Sequence, residues 1–265
     1  MARIYPLFSS SKGNSFFFGT PAEGILIDCG VSCKRLCDAL TANEIPLAAV
    51  KGVFITHTHS DHISGLKNFL KKTNAPLFAQ QKNIDILLYK GAVGGERAYP
   101  VDSGGTNGVR AVTIGGCTVE YFPTPHDTEA SCGYRVRFAD GKTAALCTDL
   151  GCVTESVWNG IRGAELVVLE SNYDADMLRS GSYPFELKRR IASERGHLSN
   201  LDCGRTMKRL AESGTRSFVL AHISPENNTP ALAVRAAAEA MSPLVNMRDY
   251  LLYAAPMEGG GAIAF

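Results

Sequence analysis

No run of apolar residues in this chain approaches the roughly 18 that a membrane-spanning helix needs. The first ten residues, Met-Ala-Arg-Ile-Tyr-Pro-Leu-Phe-Ser-Ser, lack the long apolar stretch of a secretory signal. Among eight cysteines, at positions 29, 33, 37, 117, 132, 147, 152 and 203, there is no Cys-x-x-Cys pair, and 265 residues bury a core without disulfides. These absences lead to the expectation of a reduced, cytoplasmic protein with no membrane partner. Cys29, Cys33 and Cys37, spaced by four, are read as small core or helix-surface residues. Net charge is only +1, which neither demands nor excludes a polyanionic partner. Internal repeats, low-complexity segments and Pro/Gly/Ser-rich linkers are also missing, so one domain over residues 1–265 is the economical organisation. Positive charge is local: Glu186 to Arg209 holds seven Lys/Arg against three Asp/Glu, either a polyanion-facing stretch or a solvated helix face.

What is present is an alternation of short strand-like and helix-like segments. The pattern predicts paired strands over Ser15–Gly19 and Gly24–Ile27, then a helix over Ser32–Ala42 with Ser32 as N-cap. Val50–Thr56 reads as a buried strand, Ile63–Lys72 as a helix, Pro76–Ala79 as a short strand and Gln80–Tyr89 as a helix. The middle third is β-rich, with strands expected over Val109–Ile114, Cys117–Pro123, Ser131–Phe138 and Thr143–Thr148; Gly115-Gly116 and Asp140-Gly141 make the hairpin turns. Helices are then expected over Thr154–Ile161, Phe185–Glu194, Asn200–Glu212 and Pro230–Met241, with strands over Leu166–Glu170, Ser217–Ala221 and Arg248–Tyr253. Each half supplies a sheet and helices. Two sheets face to face, with helices on both outer sides, use that pattern economically.

The informative stretch is Phe54-Ile-Thr-His-Thr-His-Ser-Asp-His62, where an apolar strand ends and four potential metal ligands follow within six residues. In extended chain, alternate side chains point the same way, so His57 and His59 can reach one ion together. The chain then turns, which lets Asp61 and His62 face a second point. A carboxylate among imidazoles suits zinc, manganese or iron. The other candidates also close strands: His126 follows Tyr121-Phe-Pro-Thr-Pro, Asp149 follows Thr143-Ala-Ala-Leu-Cys-Thr, and His222 follows Phe218-Val-Leu-Ala. The sixth histidine, His197, sits in a Gly-His-Leu-Ser-Asn turn before a helix. Asp28, ending Ile25-Leu-Ile-Asp, is read as a carboxylate that orients a metal-bound histidine.

In this order His57-x-His59-x-Asp61-His62, His126, Asp149 and His222 resemble the signature of the metallo-β-lactamase superfamily. The resemblance implies an α/β fold, a four-layer αββα sandwich, holding two divalent metal ions (zinc or manganese) at one edge of its sheets. It implies His57, His59 and His126 around the first ion, Asp61, His62 and His222 around the second, and Asp149 bridging both. Asp28 matches the superfamily's first motif, which supports the metal loop. Two ions about 3.5–4 Å apart share a water, lower its pKa and clamp entering and leaving oxygens, chemistry suited to phosphodiester hydrolysis. Asp61 is expected to be essential to that catalysis.

Glu194-Arg-Gly-His-Leu-Ser-Asn200 and Phe218-Val-Leu-Ala-His-Ile-Ser-Pro-Glu-Asn-Asn228 are similar to the nuclease branch of the superfamily, where a Gly-His-hydroxyl turn opens a helix. A helix N-terminus offers N–H groups to phosphate, and His197 there could bind the scissile phosphate or protonate the leaving oxygen. Val167-Val-Leu-Glu-Ser-Asn-Tyr-Asp-Ala-Asp-Met-Leu178, Gly181-Ser-Tyr-Pro184, Leu187-Lys-Arg-Arg-Ile191 and the opening Ser9-Ser-Ser-Lys-Gly-Asn14 resemble the bacterial YycJ/WalJ (VicX) family, which has no large inserted cap domain. That resemblance implies 5′→3′ exonuclease activity on DNA, with a link to mismatch repair and to a two-component regulatory operon. Members of that family commonly carry His after Ser-Asn; this chain has Tyr173. Lys188, Arg189, Arg190 and Arg195 flank the His197 turn and could track a phosphate backbone, although no RNP-like aromatic motif or long basic tail accompanies them. Ser11, Asn14, Ser199, Asn200, Ser224, Asn227 and Asn228 are candidates for phosphate contacts. The competing reading is a small-molecule hydrolase, such as a glyoxalase-II-like thioesterase, which needs neither the His197 turn nor its basic flank. A protein that keeps the fold but acts only by binding would have no use for an intact ligand set.

Overall fold

Most of the apolar runs that end in candidate ligands are strands covered on both faces, and that double burial sets the layering. The computed structural model describes residues 1–102 and 111–265. One sheet contains β1 (Arg3–Ser10), β2 (Gly13–Gly19), β3 (Gly24–Ile27), β4 (Val50–Phe54), β5 (Leu77–Ala79), β6 (Ala98–Pro100) and β14 (Ile263–Ala264), in the spatial order β14-β1-β2-β3-β4-β5-β6. The other contains β7 (Val112–Ile114), β8 (Cys117–Pro123), β9 (Cys132–Phe138), β10 (Thr143–Cys147), β11 (Leu166–Glu170), β12 (Ser217–Ala221) and β13 (Leu251–Ala254), ordered β13-β12-β11-β10-β9-β8-β7. Each sheet is antiparallel on one side and parallel on the other. β1 to β3 and β7 to β10 are antiparallel; β3 to β6 and β10 to β13 are parallel.

Alternate residues of each strand go to different layers. Phe16, Phe18, Ile25, Ile27 and Phe54 pack against Tyr134, Val136, Leu146, Val168 and Val219 between the sheets. Their neighbours Phe17, Leu26 and Val53 face outward against α1 (Cys33–Ala42), α3 (Leu66–Thr73) and α4 (Gln81–Tyr89), meeting Leu36, Leu40, Phe69 and Leu87. On the other side Val167, Leu169, Phe218 and Leu220 meet α5 (Glu155–Ile161), α8 (Asn200–Glu212) and α9 (Pro230–Met241) through Val157, Ile161, Met207, Leu210 and Ala237. This is the four-layer αββα sandwich of the metallo-β-lactamase fold. Among the described residues no helix is long and apolar enough to cross a membrane.

Several boundaries differ from expectation for physical reasons. The helix expected over Ile63–Lys72 is two, α2 (Ser60–Ile63) and α3, broken at Ser64-Gly65. Gly65 passes the carbonyl of Val31 so closely that a Cβ would stand 2.0 Å from that oxygen, which forces the bend. The strand expected to reach Thr56 stops at Phe54, because the Thr56 N–H donates to Asp28 rather than to a neighbouring strand. β1 escapes a reading by alternation: Pro6 lacks an N–H, and the register shifts between Pro6 and Phe8. The helix expected over Phe185–Glu194 is α7 (Phe185–Ile191), ended by a turn in which the His197 N–H donates to the Ile191 carbonyl at 2.8 Å. The last expected strand starts at Leu251 rather than Arg248, and β6, β14 and α6 (Ala175–Ser180) were not anticipated. Of Val109–Ile114, the strand covers Val112–Ile114; Val109 and Arg110 lie outside the described residues. All eight cysteines are free, with Cys29 buried and Cys33 and Cys37 half-buried.

The strand that delivers the histidines is anchored by aromatic packing. Phe54 stacks on Phe78 with centroids 4.8 Å apart and meets Tyr134 edge-on at 5.4 Å. The Tyr134 hydroxyl donates to the Ile55 carbonyl at 2.7 Å. Phe54→Ala should therefore cost about 3–5 kcal/mol of unfolding free energy, measured as a shift of the urea midpoint at unchanged slope.

Candidate metal centre

Strands end together at one rim of the sandwich, and at each end the chain swings a polar side chain inward. Asp28 and His222 stand immediately after β3 and β12, and Asp149 two residues past β10, all with left-handed backbone (φ 62°, 54° and 58°). Non-glycine residues adopt that conformation at a cost and hold it only where the surroundings over-determine it. Gly30 lets the β3 end approach the metal loop: a Cβ there would stand 1.7 Å from the Asp61 carbonyl oxygen.

The potential ligands gather in overlapping groups. His57, His59 and His126 present donor atoms within 4.8 Å of one another, and so do Asp61, His62 and His222. Asp149 lies between the groups, Oδ2 at 3.3 Å from His62 Nε2 and Oδ1 at 3.9 Å from His126 Nε2. The far nitrogen of most rings is tied down. Asp28, fully buried, accepts from Thr56 N–H at 2.9 Å, Thr56 Oγ1 at 2.8 Å and His62 Nδ1 at 2.7 Å. Thr56 Oγ1 also lies 3.1 Å from His57 Nδ1. His126 Nδ1 is 3.1 Å from the Gly196 carbonyl, and His222 Nδ1 is 2.7 Å from Glu170 Oε1. Each ring so held turns its Nε2 toward the common centre.

The donor set fits divalent cations. In a tetrahedral shell with nitrogen ligands at about 2.0–2.1 Å, donors sit roughly 3.3–3.4 Å apart. His59 Nδ1 and His126 Nε2 are 3.3 Å apart, and Asp61 Oδ2 is 3.5 Å from His62 Nε2 and 3.7 Å from His222 Nε2. Among the described residues, the buried His57 Nε2, His222 Nε2 and Asp149 Oδ2 have no hydrogen-bond partner, since the close approach of Asp149 to His62 is not aligned as one. An orphaned buried polar atom costs about 1–3 kcal/mol, a cost that coordination would remove. Burial alone would push His62 and His222 down. Asp28 and Asp149 around the first, and Asp149, Asp61 and Glu170 around the second, instead hold both well above the ordinary histidine pKa. Burial and the neighbouring His62 push His57 well below it.

Glu170 is a residue of this cluster that the sequence pattern did not single out. It is completely buried at the end of β11. Oε1 receives both His222 Nδ1 and, at 2.8 Å, His197 Nδ1; Oε2 accepts from the N–H groups of Leu150 (3.0 Å) and Leu198 (3.2 Å). Its signal was present: Glu170 closes an apolar strand run as Asp28 does. Asp127, beside His126, was also missed. Its Oδ1 lies 3.4 Å from His126 Nε2 and 3.9 Å from His59 Nε2, while Oδ2 receives Arg190 Nε.

The chain is similar to known proteins. Residues 24–223 match the family described as the beta-lactamase superfamily domain. The chain is 35% identical over 230 residues to a protein named exodeoxyribonuclease WalJ of Streptococcus pneumoniae serotype 2, covering 86% of this chain and 83% of that one. It is 34% identical over 228 residues to a protein named exodeoxyribonuclease YycJ of Bacillus anthracis, covering 86% and 84%. The chain belongs to the metallo-β-lactamase superfamily, in its YycJ/WalJ family. The metallo-beta-lactamase fold protein YhfI of Bacillus subtilis has the same fold, with a TM-score of 0.73 over all of both chains at 16% identity.

In this YycJ/WalJ family member the residues expected to contact phosphate divide by location. Ser11 and Ser224 line a cavity beside His197. Asn14 is buried behind the potential ligands, its Nδ2 3.3 Å from Asp61 Oδ2 and 3.1 Å from His62 Nε2. Ser199 caps α8, accepting from the Asp202 N–H at 3.1 Å. Asn200 and Asn228 hydrogen-bond each other, and the Asn227 carbonyl accepts from the Asp174 N–H. Tyr173 is buried and pairs its backbone with Ser199 and Asn200, which occupies the first N–H of α8. Arg195 holds the His126 carbonyl with Nε at 3.0 Å and Nη2 at 2.8 Å.

If Glu170 orients His222, Glu170→Gln should weaken divalent-metal affinity about 10–100-fold, read by competition with a chromogenic chelator. Rings whose pKa is raised must shed the Nε2 proton before coordinating. Affinity for zinc should therefore rise, with protons released, as pH increases from 6 to 8; a flat profile would show that His62 and His222 are already neutral.

Proposed function

We propose that this chain is a divalent-metal-dependent phosphodiesterase that removes nucleotides from the end of a DNA strand in the 5′→3′ direction. The observation that carries the phosphodiesterase reading is Glu170, which joins His197 to His222 through a single carboxylate oxygen. A reactive histidine locked to a ligand-position histidine stands at a fixed offset from the reacting centre. The two relatives named exodeoxyribonuclease, similar over most of their length, support DNA as the substrate.

In this reading His57, His59 and His126 would hold one ion, Asp61, His62 and His222 a second, and Asp149 would serve both, with zinc or manganese as the metal. Such ions would supply Lewis acidity toward water and the phosphate oxygens near neutral pH. The remaining work belongs to the chain. Asn14 positions Asp61, its Nδ2 donating to Oδ2. Glu170 takes His197 Nδ1, which leaves Nε2 to face the substrate. Burial opposes the charged form of His197, but Glu170 outweighs it and raises the pKa, so the ring can donate a proton to the leaving oxygen. Residues 1–265 act as one catalytic unit without an inserted cap, in the reducing cytoplasm that eight free cysteines suit.

The test uses metal-stripped protein reloaded with zinc or manganese, on duplex and single-stranded DNA labelled at either end. Mononucleotides should be released from the 5′ label. His197→Ala should cut the rate about 10²–10⁴-fold while metal content stays constant, and loss of metal would instead make His197 a ligand. Asp61→Ala should abolish cleavage. Hydrolysis of S-lactoylglutathione without any DNA cleavage would transfer the assignment to a thioesterase.

A further inference from the structure

Next to His197 the rim opens into a cavity of about 170 Å³, walled by Tyr183, Leu187, Arg190 and Ile191 on one side and by Ser11 and Ser224 on the other. Pockets for whole small molecules measure roughly 300–1,000 Å³, whereas a cavity of about 150 Å³ accepts one benzene-sized ring. The space therefore suits one flat ring system. Its walls suit one too, with an aromatic face, two aliphatic side chains, a guanidinium and a hydroxyl-bearing edge. Arg190 Nε is held on Asp127, which fixes the guanidinium at the wall.

The helix that forms this wall is unusual in its burial. α7 contributes no fully buried residue, and Phe185 at its start is 73% exposed. Lys188, Arg189 and Arg190 follow within the same two turns. An exposed aromatic side chain and Arg189, held only in an exposed pair with Glu186, beside a ring-sized slot make the kind of platform on which a single nucleic-acid strand stacks its bases and lays a phosphate.

We propose that this cavity binds the base of the terminal nucleotide, stacked on Tyr183, while the phosphodiester that follows lies at His197 and the metal centre. This inference rests on the nuclease reading. A base lodged there cannot stay paired with its complement, so the end of a duplex frays by one pair before cleavage, and single strands avoid that step.

The experiment compares single-stranded oligonucleotides that end, at the attacked terminus, in an ordinary nucleotide or in an abasic tetrahydrofuran unit, using the metal-loaded wild-type enzyme. kcat/KM should fall roughly five- to a hundredfold on the abasic end, mostly through KM. Tyr183→Ala should lose a similar factor on the ordinary end and little more on the abasic one, whereas Tyr183→Phe keeps the wild-type preference. Leu187→Trp, which fills the slot, should mimic Tyr183→Ala; thermal melting and metal content check that each variant is folded. Equal wild-type cleavage of both ends would overturn the base pocket and leave the nuclease reading standing. So would a preference set only by a terminal phosphate, present or absent, whatever the base. Failure to cleave any DNA would defeat the nuclease reading and the pocket together.

Discussion

Everything at the rim of this molecule depends on hydrogen bonds between buried carboxylates and imidazole Nδ1 atoms. His62 on Asp28 and His222 on Glu170, each at 2.7 Å, are the two that matter most. A histidine in a dry site can present a lone pair only if its other nitrogen is satisfied, because the tautomer is otherwise free to reverse. Asp28 and Glu170 end β3 and β11, one in each sheet. The sandwich thus brings one orienting carboxylate from each half to the same edge, and the packing of Phe54 on Phe78 and Tyr134 between the sheets holds those edges in register.

The arrangement is costly and the cost is localised. Asp28, Asp149 and Glu170 are carboxylates almost wholly removed from water, and Asp149 is held low in pKa only by His222, His62 and His57 against its own desolvation. Asp28, Asp149 and His222 add left-handed backbone to that burden. Such strain persists because central strands covered on both faces supply the stability that the rim gives up. Divalent cations would relieve the same groups, so metal binding and folding of the rim are coupled.

The fold was legible where burial repeats with the period of the strand. β2, β3, β4, β8 and β10 to β12 carry apolar runs, and their ends carried the potential ligands His57, His126, Asp149 and His222 in plain view. Tertiary contacts hid the rest. The break between α2 and α3 follows from Gly65 meeting Val31, more than thirty residues away, and no local pattern encodes that approach. β1 is obscured by Pro6 and its serine-rich end. Glu170 was read as the last residue of a buried strand, because a charge closing an apolar run is normally just where the run meets water; here it closes on two histidines instead. Asn14 and Asn228 looked like loop polar groups, and their burial is visible only once distant loops are brought together.

Counting charge along the chain also overstates what a strand of DNA would meet. Of the basic residues around His197, Arg195 is spent on the His126 carbonyl, Arg190 on Asp127, and Lys188 on the Arg179 carbonyl at 2.8 Å. Arg189 is shared with Glu186 in an exposed pair at 2.7 Å, the kind of surface contact worth little and readily exchanged for a phosphate. Arg195 and Arg190 shape the rim more than they attract a polyanion, since one fixes the loop that carries His126 and the other fixes Asp127 beside it. Attraction to the phosphate backbone, which scales with the number of cations free to release counterions, is then modest for a chain of net charge +1. Grip on a substrate has to come mainly from contacts at the rim itself, and a small, ring-sized slot next to the reacting centre supplies them where a chain end can reach and the middle of a duplex cannot.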